Sequence, residues 1–333
     1  MRNILITGGA GYVGSALVPK LLDDYKVTVY DLFLYGDPFE TKKQGRKKKN
    51  LRNLTKVKAD IRNEKMLRKH LKDKDTVMHL ACISNDPSYE LNPSLSKLID
   101  HYGARKLVDI CEEMGIRHFI YASSSSVYGI VPDYIEVTER IKCNPLTSYS
   151  RCKLGLEEYI KMKNPKMAWT VYRPATICGY TNRLRLDTVV NLLTAQALIN
   201  NKITVFGGEQ YRANINVKDM VRAYQLLLEA PLNRMDRQIF NVGDTNIMVK
   251  DIATKIKEHL GLDIEIETTP TNDPRSYRLN ADKIKEHLRF KSNYGIDDAI
   301  SSIKRAYYDG LIVDGLNNPI YHNVKLMKGI NLK

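Results

Sequence analysis

The stretch Thr7-Gly8-Gly9-Ala10-Gly11-Tyr12-Val13-Gly14 restricts the fold of this chain more than any other. It follows an apolar run at 3–7, which reads as a buried parallel strand. It opens a segment, 11–22, with Val13, Ala16, Leu17, Leu21 and Leu22 at helical spacing. Residues 26–30, rich in Val and Thr, read as the next strand, so the three form one β-α-β unit. Gly8 allows the tight turn off the strand, Gly11 lets backbone approach a pyrophosphate, and Gly14 lets the helix pack closely on the sheet. Tyr12 and Val13 share that turn, and the helix start offers free N–H groups to phosphates. A glycine-rich turn without a ligand is the plain alternative. The preceding strand, the following helix and an acid at the end of the second strand favour dinucleotide binding.

That acid is Asp31. Its carboxylate suits ribose hydroxyls and repels a 2′-phosphate, and Leu32-Phe33-Leu34 supplies no cation for one, which points to NAD over NADP. Strand-like and helical segments continue to alternate. Strands are predicted at 54–59, 75–80, 117–122 and 168–172, and helices at 63–71, 93–114 and 148–163. Asp60 and Ile61 end the third strand and Leu80 and Ala81 the fourth, on the edge where an adenosine would lie. Beyond Pro174 the pattern loosens. Helices are expected at 187–200, 218–229, 250–260 and 297–309, with short strands at 203–206, 213–217 and 239–242. The predicted class is α/β, a Rossmann-type doubly wound parallel sheet with a smaller C-terminal substrate-binding lobe. Residues 1–175 are expected to form the NAD-binding part, completed by a strand near 237–243. Residues 176–310 mainly form the lobe, and 311–333 a C-terminal extension that packs rather than forming a site.

Composition limits the alternatives. The chain has 333 residues, 43% of them hydrophobic, enough for a sizeable core. It has no apolar run of about 18 residues, so no membrane span is expected. The start lacks signal-peptide character, and a cytoplasmic protein is the default. Cys82, Cys111, Cys143, Cys152 and Cys178 fit no metal or redox spacing and read as reduced thiols. The net charge of +14 favours anionic partners, and Lys42, Lys43, Arg46, Lys47, Lys48 and Lys49 form one basic run. No aromatic side chain interleaves that run, so nucleic acid is not the expected partner.

Tyr149 and Lys153 stand at i and i+4, one turn apart on one helix face. A phenol with a pKa of about 10 is a weak base, but an adjacent ammonium and a positive nicotinamide ring favour its phenolate. Such a pair can take a hydroxyl proton while a hydride leaves the same carbon. Upstream, Ser123-Ser124-Ser125-Ser126 ends the fifth strand, where hydroxyls can bond a reacting oxygen.

With these residues assembled, the chain resembles the extended short-chain dehydrogenase/reductase family, in its nucleotide-sugar epimerase/dehydratase branch. The likeness rests on the glycine loop, Asp31, Asp60, Ser-rich Val127-Tyr128-Gly129, Tyr149/Lys153 and Arg173-Pro174-Ala175-Thr176. It extends to Gly207, Gln210, Arg212, Asn216-Val217-Lys218-Asp219 and Asp273-Pro274-Arg275. The resemblance implies that Tyr149 is the base, that Lys153 binds the nicotinamide ribose and tunes Tyr149, and that Ser124 binds the sugar hydroxyl. It implies that Pro174 flanks the nicotinamide and that Arg212 and Arg275 clamp a substrate diphosphate. It places Arg183 and Arg185 over the sugar and implies a homodimer through a four-helix bundle. No acid precedes Val127-Tyr128-Gly129, where dehydratases and decarboxylases of this type carry one; Ser125 and Ser126 stand there. The expected function is C4 epimerisation through a 4-keto intermediate. A one-way 4-dehydrogenase or 4-keto reductase, on a sugar such as a heptose, is the alternative. A non-catalytic NAD-binding or RNA-associated protein is the alternative from another class. Asp100 stands where the family usually has Asn, and a carboxylate there is expected to disturb the backbone framing the nicotinamide.

Overall fold

Seven parallel strands form the main sheet: β1 (Arg2–Thr7), β2 (Tyr25–Asp31), β3 (Leu54–Lys58), β4 (Thr76–His79), β5 (His118–Ala122), β6 (Ala168–Pro174) and β7 (Gln238–Val242). Their order is β7-β6-β5-β4-β1-β2-β3. This computed structural model describes residues 1–40, 50–132, 135–271 and 275–330. The basic run at 42–49, Asp273 and Pro274 therefore lie outside the described residues. The central strands are continuous apolar runs because both sheet faces are covered; Ile4, Leu5 and Ile6 are all fully buried. Alternate side chains feed two separate cores, Ile4 and Ile6 into one and Leu5 into the other. Helix α1 (Tyr12–Leu21) covers the first face, while α2 (Glu64–Leu71), α3 (Ala104–Glu113) and α4 (Ser148–Lys163) belong to the second. Strand order reverses between β1 and β4, and the crevice outside their carboxyl ends is where such sheets bind ligands.

A third core joins α5 (Val189–Asn200), α7 (Val249–Leu260) and α8 (Ile296–Tyr308), while α6 (Val217–Glu229) packs back on α1. Lys202–Phe206 pairs in parallel with Glu265–Thr269, a strand that the sequence reading omits. Glu265, Glu267 and Lys202 are exposed and ion-paired, so the strand has no apolar alternation to reveal it. Another difference concerns 93–114. One helical turn, Pro93–Lys97, passes into a π-helical turn, Leu98–Gly103, before α3 begins. One π turn is too short to shift the apolar period visibly, so periodicity reads one long helix. The helix expected at 187 starts at Val189, because Asp187 is held by Arg185 and Thr188 is extended.

Helix α4 starts where its sequence predicts. The Thr147 side chain accepts from Ser150 N–H, and the Ser150 hydroxyl accepts in return from Thr147 N–H. What fixes this helix against the sheet is a buried ion pair. Arg173 of β6 is 2% exposed and Glu157 of α4 is 0% exposed. Arg173 Nη2 donates to Glu157 Oε2 at 2.6 Å and its Nε donates to both carboxylate oxygens. Arg173 Nη1 reaches Tyr128 Oη at 2.9 Å, and the Ser123 hydroxyl donates to Glu157. The pair thus binds α4, β6 and the serine loop into one unit. Glu157→Gln is expected to cost roughly 3–5 kcal/mol, since it leaves a guanidinium buried without its anion. Converting both residues to Met should recover most of that loss; urea unfolding of the three proteins measures the difference.

Candidate active site

The carboxyl ends of the main sheet open into a cleft of about 590 Å³. At one end lies the glycine turn. Gly8 has φ +71°, and a Cβ there would stand 2.5 Å from Ala81 N, so only glycine lets the loop pass this close to the end of β4. A Cβ on Gly14 would strike the Gly9 carbonyl; its close partner is the loop's own backbone rather than the sheet. The Asp31 carboxylate accepts from Ala10 N–H at 2.9 Å and Phe33 N–H at 2.7 Å. Burial raises its pKa, and those amide bonds together with nearby Arg183 oppose the rise. Asp60 is gripped by Arg62 at 2.8 Å, holding its carboxyl below the usual range despite the burial that opposes this. Asp60, Ile61, Leu80 and Ala81 line the same end. The bare glycine cradle and the acid at the end of β2 fit a dinucleotide lacking a 2′-phosphate.

Tyr149 and Lys153 line the other end, together with Ser124 and Pro174. Lys153 Nζ donates to Ala122 O at 2.8 Å and lies 5.7 Å from the Tyr149 ring centroid. Burial lowers the Lys153 pKa, while Cys82, Tyr121, Tyr149 and Asp100 act the other way, and the balance lies above the ordinary amine value. The expected net lowering of the Tyr149 pKa is absent from the protein's own groups. Burial raises it well above the ordinary phenol value, and Lys153 is the largest influence pulling it back. The four serines divide their roles. Ser124 Oγ accepts from the Ser126 N–H and hydroxyl, at 3.1 and 2.9 Å. Ser123 is tied to Glu157, and Ser125 Oγ lies 2.9 Å from Tyr277 Oη. All four reach the cleft wall.

The arginines also separate. Arg212 donates to the carbonyls of Tyr211 and Arg275, and Arg275 donates to Asp86. Arg185 pairs with Asp187 at 2.8 Å. Arg183, expected over the sugar beside Arg185, lies with its guanidinium carbon 3.6 Å from the Tyr35 ring centroid, and its backbone N–H donates to Ser15 of α1. Its charge acts on Asp31 and Asp187 alike, and Arg185 is close enough to oppose it.

Several lining residues escape the sequence reading. Asp86 accepts from Arg275 and from the Thr147 hydroxyl, which ties the start of α4 to the wall. Asn323 and Met327 come from the tail, so the extension assigned only to packing forms part of the wall. Asp100 sits in the π-helical turn, 6% exposed, with Ile83 N–H donating to both carboxylate oxygens at 3.1 and 3.2 Å. Contrary to expectation, it supports that backbone instead of disturbing it. Burial pushes its pKa up to about 7, against the pull of Lys153 and the Ile83 amide. A folded-state pKa above the unfolded value of about 4 makes the native protein hold this proton more tightly. That stabilisation is complete below about pH 4 and disappears as pH rises through about 7. Asp100→Asn should therefore gain on the parent by about 2–3 kcal/mol between pH 5 and pH 8. Denaturant unfolding of both proteins across that range checks it; parallel curves would exclude the titration.

Residues 4–243 match the model of the NAD dependent epimerase/dehydratase family. A putative UDP-glucose 4-epimerase from Methanocaldococcus jannaschii is 28% identical over 310 residues, which are 90% of this chain and 96% of that protein. The crystal structure of a UDP-glucose 4-epimerase from Thermotoga maritima with UDP-glucose aligns with TM-score 0.81 and 26% identity, covering 93% of this chain and 100% of the other. A UDP-glucuronic acid 4-epimerase from Bacillus cereus, in complex with UDP-glucuronic acid and NAD, aligns with TM-score 0.79 and 25% identity over 92% of this chain and 100% of its own. The Rossmann-like sheet, the glycine cradle and the match through β7 agree: the chain belongs to the NAD-dependent epimerase/dehydratase family, with NAD as its cofactor.

Proposed function

We propose that this protein is a nucleotide-sugar 4-epimerase. One observation carries the reading: Tyr149, Lys153 and Ser124 share one end of a cleft whose carboxylates there, Asp86 and Asp187, are both held by arginines. Elimination or decarboxylation needs an acid beside the reacting sugar carbons, and positions 125 and 126 are serines. What that set of groups can do is move one proton. Tyr149 takes the proton of the sugar 4-hydroxyl and later returns it to the keto oxygen. Lys153 favours the phenolate, and Ser124 holds the same oxygen. NAD, when bound, supplies the acceptor and the source of a hydride. Inversion follows if the 4-keto sugar turns over before the hydride returns. Arg212 and Arg275, at the sugar end, suit the diphosphate of the nucleotide sugar. Arg183 and Arg185, which line the same cleft, belong to the proposed sugar site.

The relatives named above act on UDP-sugars, which makes a uridine nucleotide the first substrate class to test. A homodimer through α3 and α4 is part of the proposal, supported by exposed Leu98 and Tyr102 just before α3 and Met162 near the end of α4. No helix among the described residues is long and apolar enough to cross a membrane, which agrees with a cytoplasmic site of action.

Tyr149→Phe is expected to lower turnover by at least about 10³-fold while NAD and sugar-nucleotide affinities stay within a few-fold. Turnover would be followed by NMR of the sugar product from UDP-glucose and UDP-glucuronic acid. Retained turnover in this variant would remove Tyr149 as the base. Accumulation of a free 4-keto product with reduced cofactor would replace epimerisation by one-way oxidation.

A further inference from the structure

The helical turn Asp86–Tyr89 grips the start of α4 at three side chains. The Asp86 carboxylate accepts from the hydroxyl of Thr147, the residue that caps α4. The Tyr89 ring meets the Tyr149 ring edge-on, with centroids 6.5 Å apart. Tyr89 Oη lies 2.8 Å from Cys152 Sγ. Positions 147, 149 and 152 span the opening of α4, the part that carries the proposed base.

The Asp86 bond decides how the cap works. A threonine hydroxyl has one proton and two lone pairs. By giving that proton to Asp86, Thr147 leaves its lone pairs for the Ser150 N–H, which donates to it at 3.1 Å. Ser150 gives its own hydroxyl proton to Thr147 O, also at 3.1 Å. The acceptor for Thr147 is a carboxylate, so the hydrogen bond is charge-assisted and holds the hydroxyl in one orientation. Tyr149 leaves the helix two residues after this cap, and its direction follows from it.

The other oxygen of the same carboxylate accepts from Arg275 Nη1, from a segment 189 positions on. Asp86 and Arg275 both line the cleft, and Arg275 is one of the two arginines that suit the diphosphate of a nucleotide sugar. The turn between them and β4 is held firmly. Asn85, just before it, has φ +75°, a left-handed conformation that is costly for a residue with a side chain. Its Oδ1 accepts from Ser88 N–H at 3.0 Å, and its Nδ2 donates to Asp187 Oδ2 at 3.2 Å. A strained residue fixed from both sides marks a place where the fold maintains position for function.

We infer that Asp86 is a positioning residue that joins the substrate clamp to the base: one carboxylate oxygen holds Arg275 and the other holds the cap of the helix that carries Tyr149. The inference rests on the epimerase reading of the cleft and gives it a link between the diphosphate end and the proton-transfer end. A misplacement of about 1 Å at the reacting groups costs on the order of a hundredfold in rate. The charge of Asp86 by itself works against the base, because an anion near Tyr149 favours the neutral phenol. Loss of that charge alone would therefore favour proton abstraction, whereas loss of placement slows it.

The test uses the full-length, NAD-loaded protein. Turnover of UDP-glucose and UDP-glucuronic acid gives kcat, and calorimetric titration with UDP gives the affinity of the clamp. Asp86→Ala should lower kcat about 10- to 100-fold. Its Kd for UDP should stay within about fivefold of the parent, the scale of one partly exposed ion pair. Asp86→Asn, whose side-chain oxygen still accepts from Thr147, should lose less, and it serves alone if Asp86→Ala does not fold. Thr147→Val removes the other end of the bond, and the double variant with Asp86→Ala should be no slower than the slower single variant. Unchanged or raised kcat in a folded Asp86 variant overturns the proposal, whatever happens to UDP. Equal losses of kcat and UDP affinity overturn it too, since they mark damage to the whole cleft. Additive losses in the double variant also overturn it, because Asp86 would not be acting through the cap. If the parent epimerises neither sugar, the epimerase reading itself fails, an outcome separate from these three.

Discussion

The site depends on one ion pair beneath its floor. Arg173 and Glu157 meet almost without solvent, and each also holds a hydroxyl of the serine loop or its flank. The helix that carries Tyr149 and Lys153 is thereby locked to β6 and β5 in one register. A paired charge this deep is poor evidence of net stability, because desolvation of both ions offsets much of their attraction. What it supplies is placement. Any slide of α4 along the sheet would strand a guanidinium and a carboxylate, so the competing arrangements are far higher in energy.

The same logic recurs in weaker form around the cleft. Lys153 is buried, yet its pKa is raised rather than lowered, and its ammonium donates a hydrogen bond to Ala122 O. Asp100 balances it from the π-helical turn, whose wider helix carries that carboxylate to the Ile83 amide. Tyr149 lies between burial, which favours the neutral phenol, and Lys153, which favours the phenolate. Among the protein's own groups the balance favours the neutral phenol, which fits the proposal that Tyr149 serves as a base only once NAD is bound.

Much of this was legible in the chain. The parallel strands are buried on both faces, so they appear as unbroken apolar runs, and each glycine of the first turn marks a close backbone approach. The start of α4 is written in Thr147 and Ser150, and the residues proposed for the cleft do converge on it. Local pattern failed where meaning is supplied by a distant partner. Asn323 looks like any tail asparagine until it meets Arg183, 140 positions away. Glu136–Val137 and Arg278–Leu279 are too short for periodicity to mark, yet they pair with each other. A single π-helical turn is too short to disturb the apolar period of the helix around it, and the Tyr35 ring that Arg183 covers comes from a distant part of the chain.

The position of β7 has a consequence for how the molecule comes into being. This edge strand, residues 238–242, zips onto β6 only after some sixty intervening residues have left the ribosome. Until then β6 presents an open row of amides and carbonyls beside Trp169, Val171 and Tyr172, which are buried in the finished protein. Nascent chains halted in that interval are therefore the species most exposed to edge-to-edge association, and the sheet is closed by sequence that belongs to the far side of the cleft.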